Sequence, residues 1–218
     1  YIISEGMESL GIPTTRSLSV TATGESVLRS TPLPGAILTR TAKSHIRVGT
    51  FQYAAALGDK ENLSQLFVYT VDRHYPELRN ADDLPYAFFQ AVLDRQADLV
   101  SRWMLVGFVH GVMNTDNVSI AGETIDYGPC AFLDVYHPET VFSSIDHQGR
   151  YAFQNQPSIT QWNLARLAES LVQVVPGNPE DAVGKFVEIL ETFSSCYEKY
   201  FQTGANAKLG LTTMENED

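Results

Sequence analysis

Three residues near the middle of the chain, Asp116, Asn117 and Asp126, have types and spacing that suit phosphate chemistry. An amide oxygen and a carboxylate are hard donors. Mg²⁺ takes one or two such protein ligands and completes its shell with water and phosphate. Asn117 closes the polar run that starts at His110, and Asp126 opens Asp126-Tyr127-Gly128. Residues 118–120 and 124–125 read as two short strands joined at Gly122. Such a hairpin would bring Asn117 and Asp126 to one point. Protein kinases hold their metal ions with a catalytic-loop Asn and an Asp before Gly. Asp116, next door, could orient or deprotonate an attacking hydroxyl. The same residue types also fill ordinary turns, so on the residues alone a metal site and a plain turn both stay open.

The formal net charge of −11 argues against a nucleic-acid scaffold, and the charge is unevenly spread. Between Glu25 and Asp59 there is no acidic residue, while Arg29, Arg40, Lys43 and Arg47 fall inside that window. A basic island in an acidic chain can bind an anion or simply face solvent, and composition does not choose between the two.

The elements that must position these groups change character along the 218 residues. Residues 1–10 read as the end of a helix stopped by Gly11 and Pro13. Residues 17–23, 26–29 and 36–41 read as strands, the first two separated by a Gly24-Glu25 turn. Helical spacing then dominates: 51–58, 60–75, a long amphipathic stretch over 82–109, then 158–172 and 179–203. Residues 212–218 are polar and expected to fray. The order implies an α+β chain of two unequal parts, 1–57 and 58–218, with the chemistry in a loop over 110–129. With 44% apolar and 19% charged residues the composition is globular, and no apolar run is long enough to span a membrane. Cys130 and Cys196 fit no metal spacing and read as buried free thiols of a reducing compartment.

Four blocks resemble the selenoprotein O family: GIPTTRSLSV from Gly11, AILTRTAKSHIRVGTFQ from Ala36, HGVMNTDNVSIAGETIDYGPCAFLDVY from His110, and DHQGRYAFQNQPSITQWNLARLAESL from Asp146. They occur in family order and spacing and cover most of residues 1–171. The resemblance implies a two-lobed, protein-kinase-like fold with its N-terminal lobe truncated and a mainly helical C-terminal lobe. It implies ATP bound in a flipped orientation and transfer of AMP to Ser, Thr or Tyr hydroxyls of proteins. By resemblance Asn117 and Asp126 ligate Mg²⁺ or Mn²⁺, Arg40 and Arg47 hold the inward-facing phosphates, and Asp116 matches the proton acceptor. Arginine suits that task because its planar fork reaches two phosphate oxygens and keeps its charge. One departure from ordinary kinases bears on Asp116: there the catalytic Asp and the metal-binding Asn are five residues apart, whereas Asp116 and Asn117 are adjacent.

The family's Gly-rich loop, ATP-contacting Lys and partner Glu are expected upstream of Tyr1, and its C-terminal region beyond Asp218. The fragment alone is therefore expected to transfer AMP poorly. The alternatives are use of another nucleotide such as UTP, a kinase-like phosphotransferase, or a nucleotide-binding pseudokinase scaffold. Neither a nucleic-acid nor a membrane partner is expected, and the setting is cytoplasmic for a bacterial protein or mitochondrial for a eukaryotic one. Several conspicuous residues read as structural: His110 as a brace for the loop, His45 as packed, Asp146, His147 and Arg150 as a supporting polar network, and Trp103 and Trp162 as core.

Overall fold

The computed structural model describes residues 1–211, so the expected fraying of 212–218 lies outside the described residues. The chain is α+β. Helix α1 (Ile2–Ser9) leads into a two-stranded antiparallel ribbon of β1 (Arg16–Leu28) and β2 (Pro32–Thr41). Helices α2 (Val48–Ala56), α3 (Lys60–His74) and α4 (Leu84–Leu105) follow. A two-residue strand, β3 (Phe108–Val109), pairs with β4 (Ala131–Phe132), and α5 (Gln156–Leu171), α6 (Pro179–Glu191) and α7 (Phe193–Leu209) complete the chain. No helix of the described residues is long and apolar enough to cross a membrane.

The helices form for local reasons and are held by one core. Asp59 caps α3 by accepting hydrogen bonds from the N–H groups of Glu61 (3.0 Å) and Asn62 (3.1 Å). Asn178 caps α6 through the N–H of Glu180 at 3.2 Å. Helix α4 carries the densest apolar stripe, with Phe88, Phe89, Val92, Leu93, Val100 and Trp103 buried. It packs against α5, α6 and α7. Phe88 is the centre of an aromatic cluster: the rings of Phe67 and Tyr75 meet it edge-on, each at 5.3 Å between centroids.

The structure departs from the sequence reading at several points. The two strands expected on either side of Gly24-Glu25 are one strand. Gly24 takes a left-handed φ of +78° and the ladder shifts register between Ala22 and Ser26, so the chain bulges instead of turning back. The reversal comes later, where Arg29 N–H bonds the carbonyl of Thr31. The expected hairpin over 118–125 shrinks to one bridge, Val118 to Thr124. The helix expected over 179–203 is two helices broken at Thr192, whose hydroxyl donates back to Ile189 O at 2.7 Å. Trp162 is 38% exposed rather than core; its ring is flanked by the guanidinium groups of Arg150 (4.6 Å) and Arg166 (5.3 Å), which supply cation–π contacts in place of burial. His45 is exposed. Of the expected polar network, Asp146 accepts the backbone N–H groups of Arg150 and Tyr151, while His147 faces solvent. Both cysteines are free and half-buried.

Candidate functional site

The loop between β3 and β4 carries Asp116, Asn117 and Asp126, and its two ends are closed against each other by the pairs Phe108–Phe132 and Val109–Ala131. Inside this clasp His110 is fully buried. Its Nδ1 accepts the N–H of Val112 (3.4 Å), and its Nε2 lies 2.8 Å from the carbonyl oxygen of Ile125. With Nδ1 accepting, Nε2 carries the proton and donates to Ile125, so the ring is neutral and of one tautomer. Burial holds its pKa below the ordinary imidazole value, which agrees with that state. His110 therefore braces the loop, fixing the residue that precedes Asp126.

Asn117 is tied to the same short segment. Its Nδ2 donates to the carbonyl of Val112 at 2.9 Å. Just before it, Asn114 Oδ1 accepts the N–H of Asp116 (3.1 Å) and Asn114 O accepts the N–H of Asn117 (2.9 Å), which winds Thr115–Asn117 into a single 3₁₀ turn. Because the amide nitrogen of Asn117 is engaged, its Oδ1 is the free end and has no hydrogen-bond partner among the described residues. Asp126 is the one non-glycine described residue with a positive φ, +64°. Aspartate tolerates that region better than most residues, at a cost of roughly 1–2 kcal/mol. From the Val118–Thr124 bridge, Asn117 is the next residue on one side and Asp126 the second on the other. Gly111, at φ +87°, lets the backbone lie against Pro129: a methyl group there would come within 2.8 Å of Pro129 Cγ.

Two segments from the first quarter of the chain flank this loop. Residues 46–48 run antiparallel to 118–120, with Val48 N–H donating to Val118 O and Ile120 N–H to Ile46 O, both at 3.0 Å. That pairing delivers Arg47, whose Nη1 donates to the carbonyl of Asp116 at 3.2 Å. Arg47 Nε is buried and has no partner among the described residues. On the other side Thr15 N–H donates to Thr124 O (3.1 Å), and Thr124 N–H donates to Pro13 O (2.8 Å). Trp103, buried as expected, donates its indole N–H to Thr124 Oγ1 at 2.9 Å. This second seam roots the ribbon that carries Arg40. Tyr127 bonds Thr14 through its hydroxyl, and burial pushes its phenol up to about 12 although Arg40 is near enough to oppose the rise.

Thus the loop holds Asp116, Asn117 and Asp126, Arg47 lies on the Asp116 side, and Arg40 lies toward Tyr127. Asp116 rests over the first turn of α2. A methyl group on Gly49 would collide with its carboxylate, so residue 49 must be small for Asp116 to lie there.

The donor set can be tested against a metal. Among the described residues no group of three or more His, Cys, Asp or Glu side chains could hold an ion. Besides Asp116, which lies over α2, the loop offers one amide oxygen, Asn117 Oδ1, and one carboxylate, that of Asp126. That set is poor for Zn²⁺ and fits Mg²⁺ or Mn²⁺, which leave most of their shell to water and phosphate. The unpartnered Nε of Arg47 likewise fits an anion beside the loop.

Sequence reasoning missed the partners that set this geometry. Strand β4 is too short to leave a pattern. Gln156 and Asn163 touch the loop from α5; the helix expected over 158–172 leaves Gln156 out and gives Asn163 no role. Their signal is a run of polar residues at helical spacing, Gln156, Thr160 and Asn163, on the face that α5 buries.

The family model described as protein adenylyltransferase SelO matches residues 1–218. Among curated proteins, the chain is 58% identical over 218 residues to the protein nucleotidyltransferase YdiU of Alcanivorax borkumensis, covering 100% of this chain and 45% of that protein. The proteins of the same name from Bacillus cytotoxicus (59% over 219 residues) and Rhizobium etli (54% over 218 residues) are each matched over 44% of their length and 100% of this chain. The chain thus spans less than half the length of these relatives. With the whole of its sequence matched by the family model, the chain belongs to the SelO family.

Proposed function

We propose that this chain supplies the metal- and phosphate-binding part of a protein adenylyltransferase that moves AMP from ATP to Ser, Thr or Tyr hydroxyls of other proteins. The observation that carries this reading is the pair of oxygen donors, Asn117 Oδ1 and the Asp126 carboxylate, left free on one braced loop against which Arg47 is bonded. Kinship with proteins named nucleotidyltransferases supports it. The wider architecture on this reading is two-lobed and kinase-like, with 1–57 the remainder of the smaller lobe and 58–218 the helical lobe. The relatives compared are bacterial, which favours the cytoplasmic setting over the mitochondrial one.

Asn117 and Asp126 would hold Mg²⁺ or Mn²⁺, whose charge offsets that of the nucleotide phosphates. Arg40 and Arg47 bind the β- and γ-phosphates of a flipped ATP, leaving the α-phosphate toward the acceptor. An acceptor hydroxyl attacks the α-phosphorus, the bond from that phosphorus to the α,β-bridging oxygen breaks, and pyrophosphate leaves. The hydroxyl proton passes to Asp116. Asp116 lies against the first turn of α2, and its larger contribution is to orient the hydroxyl, since a loose phosphoryl transition state asks little of a base.

The test uses the full-length protein containing this chain, with Mg²⁺ or Mn²⁺ and ATP labelled at the α-phosphate. Asp126→Asn is the control, because Asn also accepts a left-handed backbone. Label on protein that vanishes in the control is the expected result. Transfer from γ-labelled ATP alone would make the protein a phosphotransferase. Transfer from labelled UTP in preference to ATP would change the nucleotide, and nucleotide binding without transfer would leave a pseudokinase scaffold.

A further inference from the structure

Helix α5 reaches the back of the loop with two side chains that the reaction scheme above does not use. Gln156 and Asn163 are both fully buried. Seven residues apart, they share one face of the helix. Gln156 Oε1 accepts the backbone N–H of His110 at 2.9 Å, and its Nε2 donates to the carbonyl of Phe108 at 2.8 Å. Asn163 Nδ2 donates to the carbonyl of Met113 at 2.9 Å and to Ile159 O in its own helix at 2.8 Å. The two amides thus fix both ends of the segment His110–Met113.

That segment is the common anchor of both free oxygen donors. From it the His110 ring holds the carbonyl of Ile125, the residue before Asp126, and the Val112 carbonyl holds the side chain of Asn117. A distortion within His110–Met113, which changes the placement of the His110 ring relative to the Val112 carbonyl, moves Asn117 and Asp126 relative to each other. A core whose task was only to be filled would carry leucine here, since burying an amide is unfavourable unless every polar atom is matched. Asn163 Oδ1 has no partner among the described residues. Its placement therefore serves the donor on its other end, the one aimed at Met113.

We propose that Gln156 and Asn163 are positioning residues for nucleotidyl transfer, setting the separation of Asn117 and Asp126 through the His110–Met113 segment. The proposal rests on the reading of Asn117 and Asp126 as metal ligands. Mg²⁺ demands near-ideal octahedral geometry, so a small change in that separation weakens the ion's hold while leaving the nucleotide's other contacts in place.

The experiment uses the full-length protein. Gln156→Met and Asn163→Leu keep side-chain bulk and remove the hydrogen bonds. Gln156→Glu retains an acceptor for His110 and loses the donor to Phe108, and Asn163→Ser is a milder variant should leucine prevent folding. Mn²⁺ affinity is measured in the presence of a non-hydrolysable ATP analogue, from the paramagnetic resonance of free Mn²⁺. Transfer of α-label gives kcat and the KM for ATP, and thermal melting reports the fold. The expected result is Mn²⁺ affinity and kcat both reduced by about 10- to 100-fold, a smaller change in the KM for ATP, and Gln156→Glu between wild type and Gln156→Met. Variants that melt earlier, yet bind Mn²⁺ and turn over normally below their melting temperature, would overturn the proposal. Asn117→Ala and Asp126→Asn run alongside: if these leave Mn²⁺ affinity unchanged, the metal reading itself fails and the proposal falls with it.

Discussion

The β3–β4 loop and the β1–β2 ribbon both carry expected site residues, but they are held in different ways. In the loop, backbone groups are gripped by side chains from distant parts of the sequence: Gln156 on His110, Asn163 on Met113, Trp103 on the Thr124 side chain beside it. The ribbon is held mainly by its own ladder and is rooted through Thr14 and Thr15. Leu18, Val20, Leu28 and Ile37 on it are exposed. A fixed arrangement of metal ligands requires the first kind of support. An arginine that meets phosphate can tolerate the second, because a guanidinium on a flexible stem finds its partner over a range of backbone positions.

If this contrast is right, substitutions in the loop should be costly and those on the ribbon nearly silent. His110→Ala should have the largest effect, about 3 kcal/mol of stability measured by urea denaturation, since it opens a cavity and leaves the Ile125 carbonyl and the Val112 N–H without their partner. A loss below 1 kcal/mol would mean the brace is dispensable. Gly111→Ala should cost about 2 kcal/mol, because alanine resists the left-handed backbone and its methyl group meets Pro129.

A smaller effect follows from acidity. Burial is the main cause that lowers the pKa of both His110 and His74. The unfolded chain then binds more protons than the folded one as the pH falls below about 6.5. The stability tied to these neutral rings is fully present above that value and is lost as the pH drops through the folded-state values. The urea midpoint should therefore decline below about pH 6.5; a profile flat from pH 7 to 5 would contradict it. The ribbon contains no histidine, so a ribbon variant should keep the wild-type pH profile. Ile37→Ser should be the smallest change of all, within about 0.5 kcal/mol, and a loss above 1.5 kcal/mol would show that the exposed face is packed against something.

The same contrast explains what the sequence revealed. Helices α3 and α4 are legible because each carries apolar residues at helical spacing, Leu63, Phe67 and Val71 in one and the longer stripe in the other. Asp116, Asn117, Asp126, Arg40 and Arg47 stand out through residue type and family resemblance, and in the structure Arg47 bonds the carbonyl of Asp116. What stayed hidden was non-local. The pairing of 46–48 with 118–120 joins segments about seventy residues apart through backbone groups that carry no side-chain signature. The Gly24 bulge and the Thr192 break were misread for the opposite reason. Glycine and glutamate usually mark a turn, and an uninterrupted apolar period usually marks one helix, yet in both places neighbouring structure overrode the local preference. Trp162 was read by hydrophobicity alone, whereas two arginines give it an alternative to burial.

The backbone at Asp126 also limits what can replace that residue. At φ +64° only glycine, asparagine and aspartate sit without substantial strain. Glycine brings no oxygen ligand and asparagine brings no charge. Glutamate, the usual chemical substitute for aspartate, pays the torsional penalty and also sets its carboxylate one methylene further out. Drift at this position is therefore blocked twice, by conformation and by chemistry. Even with no ion bound, a library of all twenty residues at 126 screened only for folding should return this same narrow set.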